Sequence, residues 1–266
     1  MCEQSHRKRH DYGPLEVAWE LVFPSTLCGL YFIEIGANCG TDNCSFHRDP
    51  YWSYMEKFSW RGAVIEANPE TFARLEANYR PHYPRVRPIH VAVANRSGGY
   101  LDFYCPDVSS EMCTANTRWA SSQGWTSDKH RRRVPTTTLA LLWERLAPQR
   151  VDILGVDAEG AEEAILGSRL PLPLPRAVYF ETTCFNNREC AGAKGSQALS
   201  RVRSRLLQQG YTLVTRGNSQ PSLNDLWVRH KLAAELERTD RATPTESSWS
   251  NSTVRCRPFE NYLNKA

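Results

Sequence analysis

Short apolar runs alternate with amphipathic stretches along most of this chain. Residues 30–35 form a nearly continuous apolar run, which is typical of a parallel strand covered on both faces. Further strands are predicted at residues 61–66, 86–94, 100–104, 151–157 and 177–182, with a closing hairpin at 211–215 and 226–229. Strands that alternate with helices, followed by two adjacent strands, predict an α/β fold whose sheet is mostly parallel with an antiparallel finish.

The helices are predicted from their apolar spacing and their end signals. Asn68-Pro69 is typical of a helix start, with a capping side chain before a proline at the first position. Phe72, Leu75 and Tyr79 then fall on one face of that helix. Further helices are predicted around 139–146, 160–166 (stopped by Gly167) and 199–210.

One long stretch has no periodicity. Residues 106–133 are rich in serine, threonine and tryptophan, and we interpret them as a loop or lid across the carboxyl edge of the sheet.

For the chain as a whole, we expect an N-terminal extension at 1–28, one domain at 29–238 and a polar, poorly ordered tail at 239–266.

Composition narrows the class of protein. The chain has 266 residues, of which 41% are hydrophobic and 23% charged, as in ordinary soluble globular proteins. No apolar run approaches the roughly 20 residues that a membrane helix needs, and the first residues lack a signal-peptide pattern. We expect no membrane span and a cytoplasmic location.

The nine cysteines and three glycosylation sequons bear on that location. The cysteine count is odd and no C-x-x-C pair occurs, which favours reduced, mostly buried thiols over a disulfide framework. Cys184 and Cys190 give only a weak zinc signal. The sequons at Asn43, Asn95 and Asn251 matter only in a secretory compartment, so we interpret them as accidental.

Residues 33–40, Ile-Glu-Ile-Gly-Ala-Asn-Cys-Gly, carry the strongest chemical signal. Gly36 and Gly40 allow the backbone to approach a ligand closely, and Glu34 is placed to face an ammonium group. The G-x-G-x-x-G pattern of nicotinamide enzymes is not met. This E-x-G-x-x-x-G string favours S-adenosylmethionine, which has no phosphate; a plain strand-to-helix turn is the equal alternative.

Two further residues are assigned to the same cofactor. Glu66 ends the second strand, and a carboxylate there accepts hydrogen bonds from both hydroxyls of a ribose; the alternative is a surface glutamate. Asn38 is expected near the methionyl carboxylate, with helix capping as the equal alternative. In a doubly wound sheet Gly36, Glu66 and Asp157 all lie at the switch in strand order.

Acidic residues crowd the end of the fourth predicted strand. Asp157, Glu159 and Glu162 are explained by the helix dipole alone, but Asp157 is also expected to point into the crevice. We therefore predict Asp157 and Glu159 as catalytic residues, with Asp157 as acceptor ligand or general base. No metal ligand is assigned, although Glu181 with Asn186 or Asn187 offers oxygen ligands for Mg²⁺. A strand-end carboxylate bonded to backbone amides has the same pattern.

Four strings, in this order, resemble the FkbM-type methyltransferase family over roughly residues 31–229. They are Phe-Ile-Glu-Ile-Gly-Ala-Asn-Cys-Gly (32–40), Val-Ile-Glu-Ala-Asn-Pro (64–69), His-Val-Ala-Val-Ala (90–94) and Gly-Val-Asp-Ala-Glu-Gly-Ala-Glu (155–162). The resemblance implies a Rossmann-like class I methyltransferase fold and methyl transfer from S-adenosylmethionine to a hydroxyl of a small metabolite or sugar. Ala92, in the third string, is assigned to the cofactor site with the others.

The chain departs from that family pattern at three positions. Ala67 stands where proline is frequent, Gly155 where lysine is frequent, and Ala140 where aspartate follows the leucine. These departures concern acceptor chemistry more than cofactor binding.

Three functions therefore compete. A small-molecule O-methyltransferase is the leading one. A methyltransferase that holds an acidic macromolecule through the basic cluster 129–133 is a rival, but a formal charge of +4 is too small to argue for nucleic acid, and no such partner is expected. A non-catalytic Rossmann-like module is the second rival. The oligomeric state is left open.

Overall fold

The computed structural model describes residues 19, 22–23, 27–41, 51–106, 112–182, 195–214 and 224–231, and these residues form strands and helices as follows. The strands are β1 (Tyr31–Ile35), β2 (Arg61–Glu66), β3 (Val86–His90), β4 (Ala92–Val93), β5 (Tyr100–Tyr104), β6 (Arg131–Thr137), β7 (Ile153–Val156), β8 (Ala177–Glu181), β9 (Tyr211–Leu213) and β10 (Asn224–Arg229). The helices are α1 (Trp52–Lys57), α2 (Pro69–Tyr79), α3 (Thr117–Ser122), α4 (Leu139–Leu146), α5 (Glu162–Leu166) and α6 (Gly195–Gln208).

Seven strands form the main sheet in the order β3-β2-β1-β7-β8-β10-β9. The first five of these run parallel, and β10 is antiparallel to both of its neighbours. The predicted α/β fold with an antiparallel finish is therefore confirmed. Because β1 pairs with β2 on one side and β7 on the other, the strand order reverses at β1, where ligands of such sheets bind.

Each face of the main sheet carries its own apolar core. Alternation along β1 sends Ile33 and Ile35 to the face covered by α4, α5 and α6, and Phe32 to the face covered by α1 and α2. Trp19 and Phe23 are fully buried in the second core. The predicted extension 1–28 thus contributes core residues to the domain.

The start of α2 forms as its sequence predicts. The side chain of Asn68 accepts a hydrogen bond from the Glu70 N–H at 3.1 Å, and Pro69 occupies the first helical position. Leu75 and Tyr79 are fully buried on the face that packs against the sheet. The cap fixes the direction in which the chain leaves β2, and so it fixes the surroundings of Glu66.

A second, three-stranded sheet has the order β4-β6-β5 and is not apparent in the sequence. The segment 106–133, predicted as a loop, contains α3 and the first residues of β6, so that prediction is wrong within its described part. Three consecutive arginines suggest a solvated loop, yet in β6 they alternate between an exposed and a half-buried face. Val134 and Phe103 form a small core beneath this sheet.

The cysteines differ from the sequence-based expectation. Cys105, just after β5, forms a disulfide with Cys113, and Cys28 and Cys39 are also disulfide-bonded. The prediction of reduced thiols is therefore wrong for these four residues, because pairing depends on proximity in the fold rather than on an even count. Cys184 and Cys190 lie outside the described residues. Among the described helices, none has the length and apolar character needed to cross a membrane.

Candidate cofactor and acceptor site

The ends of β1, β2 and β7 meet at one point of the main sheet. The Gly36 N–H donates to the carbonyl of Ile65 at 2.9 Å, and the Asp157 N–H donates to the carbonyl of Ile35 at 2.9 Å. A Cβ at Gly36 would overlap the carbonyl oxygen of Asp157, and the φ of +85° at Gly36 also favours glycine. The predicted meeting of Gly36, Glu66 and Asp157 is therefore what the structure shows.

Glu66 is held by the backbone at both of its carboxylate oxygens. Oε2 accepts from the Asn38 N–H at 2.9 Å, and Oε1 accepts from the Asn68 N–H at 2.6 Å. Burial raises the pKa of Glu66 to about 7, although these backbone hydrogen bonds act in the opposite direction. Each oxygen keeps a lone pair for a further donor, so the carboxylate is a fixed acceptor for two hydroxyls.

The loop between Gly36 and Gly40 forms a tight cradle against α2. A Cβ at Gly40 would overlap the Tyr79 ring and Leu75, so only glycine fits there. Asn38 has a φ of 49°, and its Oδ1 is buried without a hydrogen-bond partner in the described part of the chain. A glycine cradle, an amide oxygen without a partner and a fixed carboxylate fit a polar nucleoside ligand such as S-adenosylmethionine.

Glu34 lies on β1 opposite Val64 of β2 and Gly155 of β7. It is buried, with 7% of its surface exposed. A Cβ at Gly155 would overlap the hydroxyl of the buried Tyr51, so Tyr51 occupies the space that a larger residue at 155 would need. This accounts for glycine at a position where the family resemblance leads one to expect lysine. A contact between Glu34 and a ligand ammonium stays a prediction.

Ala92 is placed differently from the other predicted cofactor residues. Its side chain is buried in the core of the small sheet, beside Phe103 and Cys113. The preceding residue, Val91, donates its N–H to the carbonyl of Glu66 at 3.2 Å, so the backbone at this point runs next to the cofactor strand. A direct contact of Ala92 with the cofactor stays a prediction.

Three carboxylates converge beside Gly36. Asp157, Glu162 and Glu181 each offer an oxygen, and these oxygens lie within 4.8 Å of one another. Asp157 is open to water although many protein atoms surround it. Partial loss of hydration raises the pKa of Asp157 well above its usual range, and the charges of Glu181 and Glu159 raise it further.

Glu162 has a role that its position in the sequence does not reveal. It is almost fully buried, and its carboxylate accepts from the N–H of Ala158 at 2.8 Å and of Gly160 at 3.1 Å. Burial raises the pKa of Glu162 to about 7. Glu162 therefore fixes the turn that follows Asp157. Glu162 stands in the first turn of α5, where the helix dipole favours any acidic side chain, so the sequence alone does not reveal this role.

Glu159 lies outside the group of three carboxylates. Its backbone has a φ of 48°, and its carbonyl accepts from the Thr114 hydroxyl at 2.6 Å. Its predicted catalytic role stays a prediction. For the suggested Mg²⁺ site, Glu181 is close to Asp157, but Asn186 and Asn187 lie outside the described residues. Binding of Mg²⁺ at these carboxylates stays a prediction.

A segment within the predicted lid joins the two halves of the site. The Asn68 amide nitrogen contacts the sulfur of Cys113 at 3.2 Å, and the next residue, Thr114, bonds the turn after Asp157. The disulfide to Cys105 anchors this segment to β5. The segment thus connects the carboxylate strand β2 to the acidic turn after β7. Its role as a lid stays a prediction.

The outer face of the small sheet is basic and aromatic. A cavity of about 680 Å³ is lined by Arg96, Tyr100, Leu101, Asp102, Tyr104, Ala115, Thr117, Arg131 and Arg133. Arg133 stacks over Tyr100 at 4.9 Å, whereas Arg131 is paired with Asp128 at 2.6 Å. Arginines outnumber the single acid of this lining, so the cavity favours anionic ligands.

Comparison with known proteins identifies the family. Residues 34–213 match the model of the methyltransferase FkbM domain, which is more than half of the chain. No curated protein matches the chain.

Several solved structures share parts of the architecture. A putative caffeoyl-CoA O-methyltransferase from Staphylococcus aureus is 12% identical, with 81% of this chain and 82% of that chain covered and a TM-score of 0.43. An O-methyltransferase from Bacillus cereus in complex with SAH is 11% identical, with 83% and 82% covered and a TM-score of 0.42. An rRNA methylase from Streptococcus thermophilus is 6% identical, with 83% and 98% covered and a TM-score of 0.39.

The matched structures correct one expectation. The sequence analysis excludes a nucleic-acid partner. This exclusion is wrong, because an rRNA methylase is among the proteins that match.

Proposed function

Because the chain belongs to the FkbM methyltransferase family, we propose that it transfers a methyl group from S-adenosylmethionine to a hydroxyl oxygen of a small molecule or sugar. One observation carries the proposal: the carboxylate of Glu66 is fixed by the Asn38 and Asn68 N–H groups, and Asp157, whose backbone carbonyl lies against Gly36, adjoins the same glycine cradle. The first carboxylate suits a ribose, and the second suits an acceptor hydroxyl.

Residues of β1 and β2 are proposed to hold the cofactor. Glu66 accepts from the two ribose hydroxyls, and the side-chain oxygen of Asn38 accepts from a donor at the methionyl end. Gly36 and Gly40 leave room for the backbone to contact the ligand. S-adenosylmethionine supplies a methyl group on a sulfonium, which is transferred by in-line displacement when the nucleophile is aligned within about 3–3.5 Å.

Asp157 is proposed to receive the proton of the acceptor. With the cofactor bound, which would supply the methyl group, the Asp157 carboxylate would take the proton that the acceptor hydroxyl gives up on methylation. A carboxylate whose pKa is raised is a better base for this step than an ordinary aspartate. Glu162 keeps the turn after Asp157 in position, since it binds the N–H groups of Ala158 and Gly160.

Cofactor binding and turnover are tested separately. Calorimetry with S-adenosylhomocysteine is expected to show binding by the unaltered chain and loss of about 10-fold or more in affinity for Glu66→Gln, because a neutral amide offers one acceptor oxygen instead of two. A screen of hydroxylated metabolites with isotope-labelled donor then identifies the acceptor by mass spectrometry. No binding of either donor or product by folded protein would refute the proposal.

The role of Asp157 has a matched control. Asp157→Asn is expected to bind S-adenosylhomocysteine normally and to lose about 100-fold or more in turnover. Glu163→Gln changes an acid of the same region that is partly exposed and paired with Arg201, and should leave turnover unchanged. Equal turnover in the two variants would contradict the proposed base. Repeating the turnover assay with a chelator tests whether turnover depends on Mg²⁺ bound by the three carboxylates.

The basic cavity supports a second candidate, methylation of an anionic acceptor such as RNA. Its arginines and tyrosines combine positive charge with aromatic faces, which suits phosphates and bases. Binding of single-stranded RNA that weakens steeply with salt, and further weakening in Arg133→Ala, would favour this acceptor class. RNA binding that is absent at low salt would eliminate it.

A further inference from the structure

The state of the cysteines bears on where this chain folds. Cys105 is fully buried and Cys113 nearly so, and their disulfide ties the end of β5 to the segment that reaches Asn68 and Glu159. Cys39, inside the glycine cradle, is disulfide-bonded too. Disulfides form and persist in oxidising compartments, and they are rare in proteins of the reducing cytosol.

In an oxidising secretory compartment, an N-x-S/T sequon becomes a site for attachment of a glycan. Asn95-Arg96-Ser97 is such a sequon, and x is not proline. It lies in the turn between β4 and β5, where residues 95–99 are all exposed. The other two sequons, at Asn43 and Asn251, lie outside the described residues.

Backbone hydrogen bonds hold the chain on both sides of this turn, while the sequon itself is exposed to solvent. The Ala94 N–H donates to the carbonyl of Thr137 at 2.8 Å before the sequon, and the Thr136 N–H donates to the carbonyl of Gly99 at 2.9 Å after it. Gly98 takes a φ of 78°, which allows the chain to reverse tightly. A group attached at Asn95 would therefore extend into solvent without disturbing the small core of Val134 and Phe103.

We propose that Asn95 carries an N-linked glycan, added in the same oxidising compartment in which the Cys105–Cys113 disulfide forms. The donor class is a lipid-linked oligosaccharide diphosphate. The amide nitrogen of Asn95 bonds C1 of the first sugar, the bond between C1 and the diphosphate oxygen breaks, and the amide loses one proton as the lipid diphosphate leaves. The two cysteine thiols give up two electrons and two protons to the disulfide of an oxidoreductase, which is thereby reduced.

The decisive sample is the full chain isolated from the cells that produce it. Peptide mapping without reduction is expected to find a Cys105–Cys113 linked peptide and a glycopeptide that contains Asn95. Treatment with a peptide N-glycosidase should convert Asn95 to aspartate. A bare Asn95, or free thiols at Cys105 and Cys113, would overturn the proposal.

Variants assign the modification to this sequon. The full chain directed into the secretory pathway of a eukaryotic cell line is expected to carry the glycan at Asn95. Asn95→Gln and Ser97→Ala should each lose it, whereas Ser97→Thr, which preserves the sequon, should keep it. Asn95 and Ser97 are exposed, so all three variants should unfold at the same temperature as the parent. A folded parent chain with an unmodified Asn95 would refute the proposal without touching the methyltransferase assignment.

Discussion

The raised pKa of Glu66 makes cofactor binding depend on pH. With a pKa of about 7, Glu66 is protonated for much of the range below neutrality. Ribose hydroxyls donate to the ionised carboxylate, so a proton on Glu66 competes with the ligand. If the ligand binds only the ionised form, the dissociation constant of S-adenosylhomocysteine at about pH 6 is expected to be roughly 10 times that at about pH 8.

The same shift affects the stability of the ligand-free protein. The pKa rises from 4.5 to about 7 on folding, so the folded state binds the proton more tightly than the unfolded state. The stabilisation is fully present below about pH 4.5 and is lost as the pH rises through about 7. The shift corresponds to roughly 3 kcal/mol between these limits. Glu66→Gln should remove this part of the pH dependence of unfolding.

Calorimetric titration with S-adenosylhomocysteine from about pH 5.5 to 8.5 checks the prediction directly. The unaltered chain and Glu163→Gln should show the same slope of affinity against pH. Glu66→Gln should bind more weakly, and its affinity should be nearly independent of pH. An unaltered chain whose affinity is flat across this range, or a Glu66→Gln variant that keeps the slope, would refute the reasoning.

Three further changes test the packing around the site. Gly36→Ala forces a positive φ on alanine, which costs about 1–3 kcal/mol, and places its Cβ against the carbonyl of Asp157. Calorimetry should therefore detect no binding of S-adenosylhomocysteine to this variant. Normal affinity would contradict the proposal that the backbone at Gly36 contacts the ligand. Gly155→Ala should lower the free energy of unfolding by about 1–3 kcal/mol, because the new Cβ overlaps the Tyr51 hydroxyl. Adding Tyr51→Phe to the same chain should recover part of this loss, which a double-mutant cycle measured by denaturant unfolding tests. Asp152→Ala removes a fully buried carboxylate that pairs with Arg176 at 3.1 Å. The free energy of unfolding, measured in the same assay, is expected to fall by about 2–3 kcal/mol. An unchanged denaturation midpoint would count against a stabilising role for this pair.

Local patterns in the chain were enough to predict the outline of the fold and the first half of the site. The apolar run that ends at Ile35, the glycines that follow it and the Asn68-Pro69 helix start are each short-range signals. The parallel arrangement of β1, β2 and β7 then brings Gly36, Glu66 and Asp157 together, as expected from the alternation of strands and helices.

The second half of the site depends on contacts between residues far apart in the chain. Glu181 approaches Asp157 because β8 pairs with β7, and Thr114 reaches Glu159 because the small sheet forms beside the main one. The arginine run of β6 lies in a strand because β5 pairs with it residue by residue. Strand pairing and disulfide pairing are set by three-dimensional proximity, which neighbouring residues do not encode, so these features emerge only when the whole chain is packed.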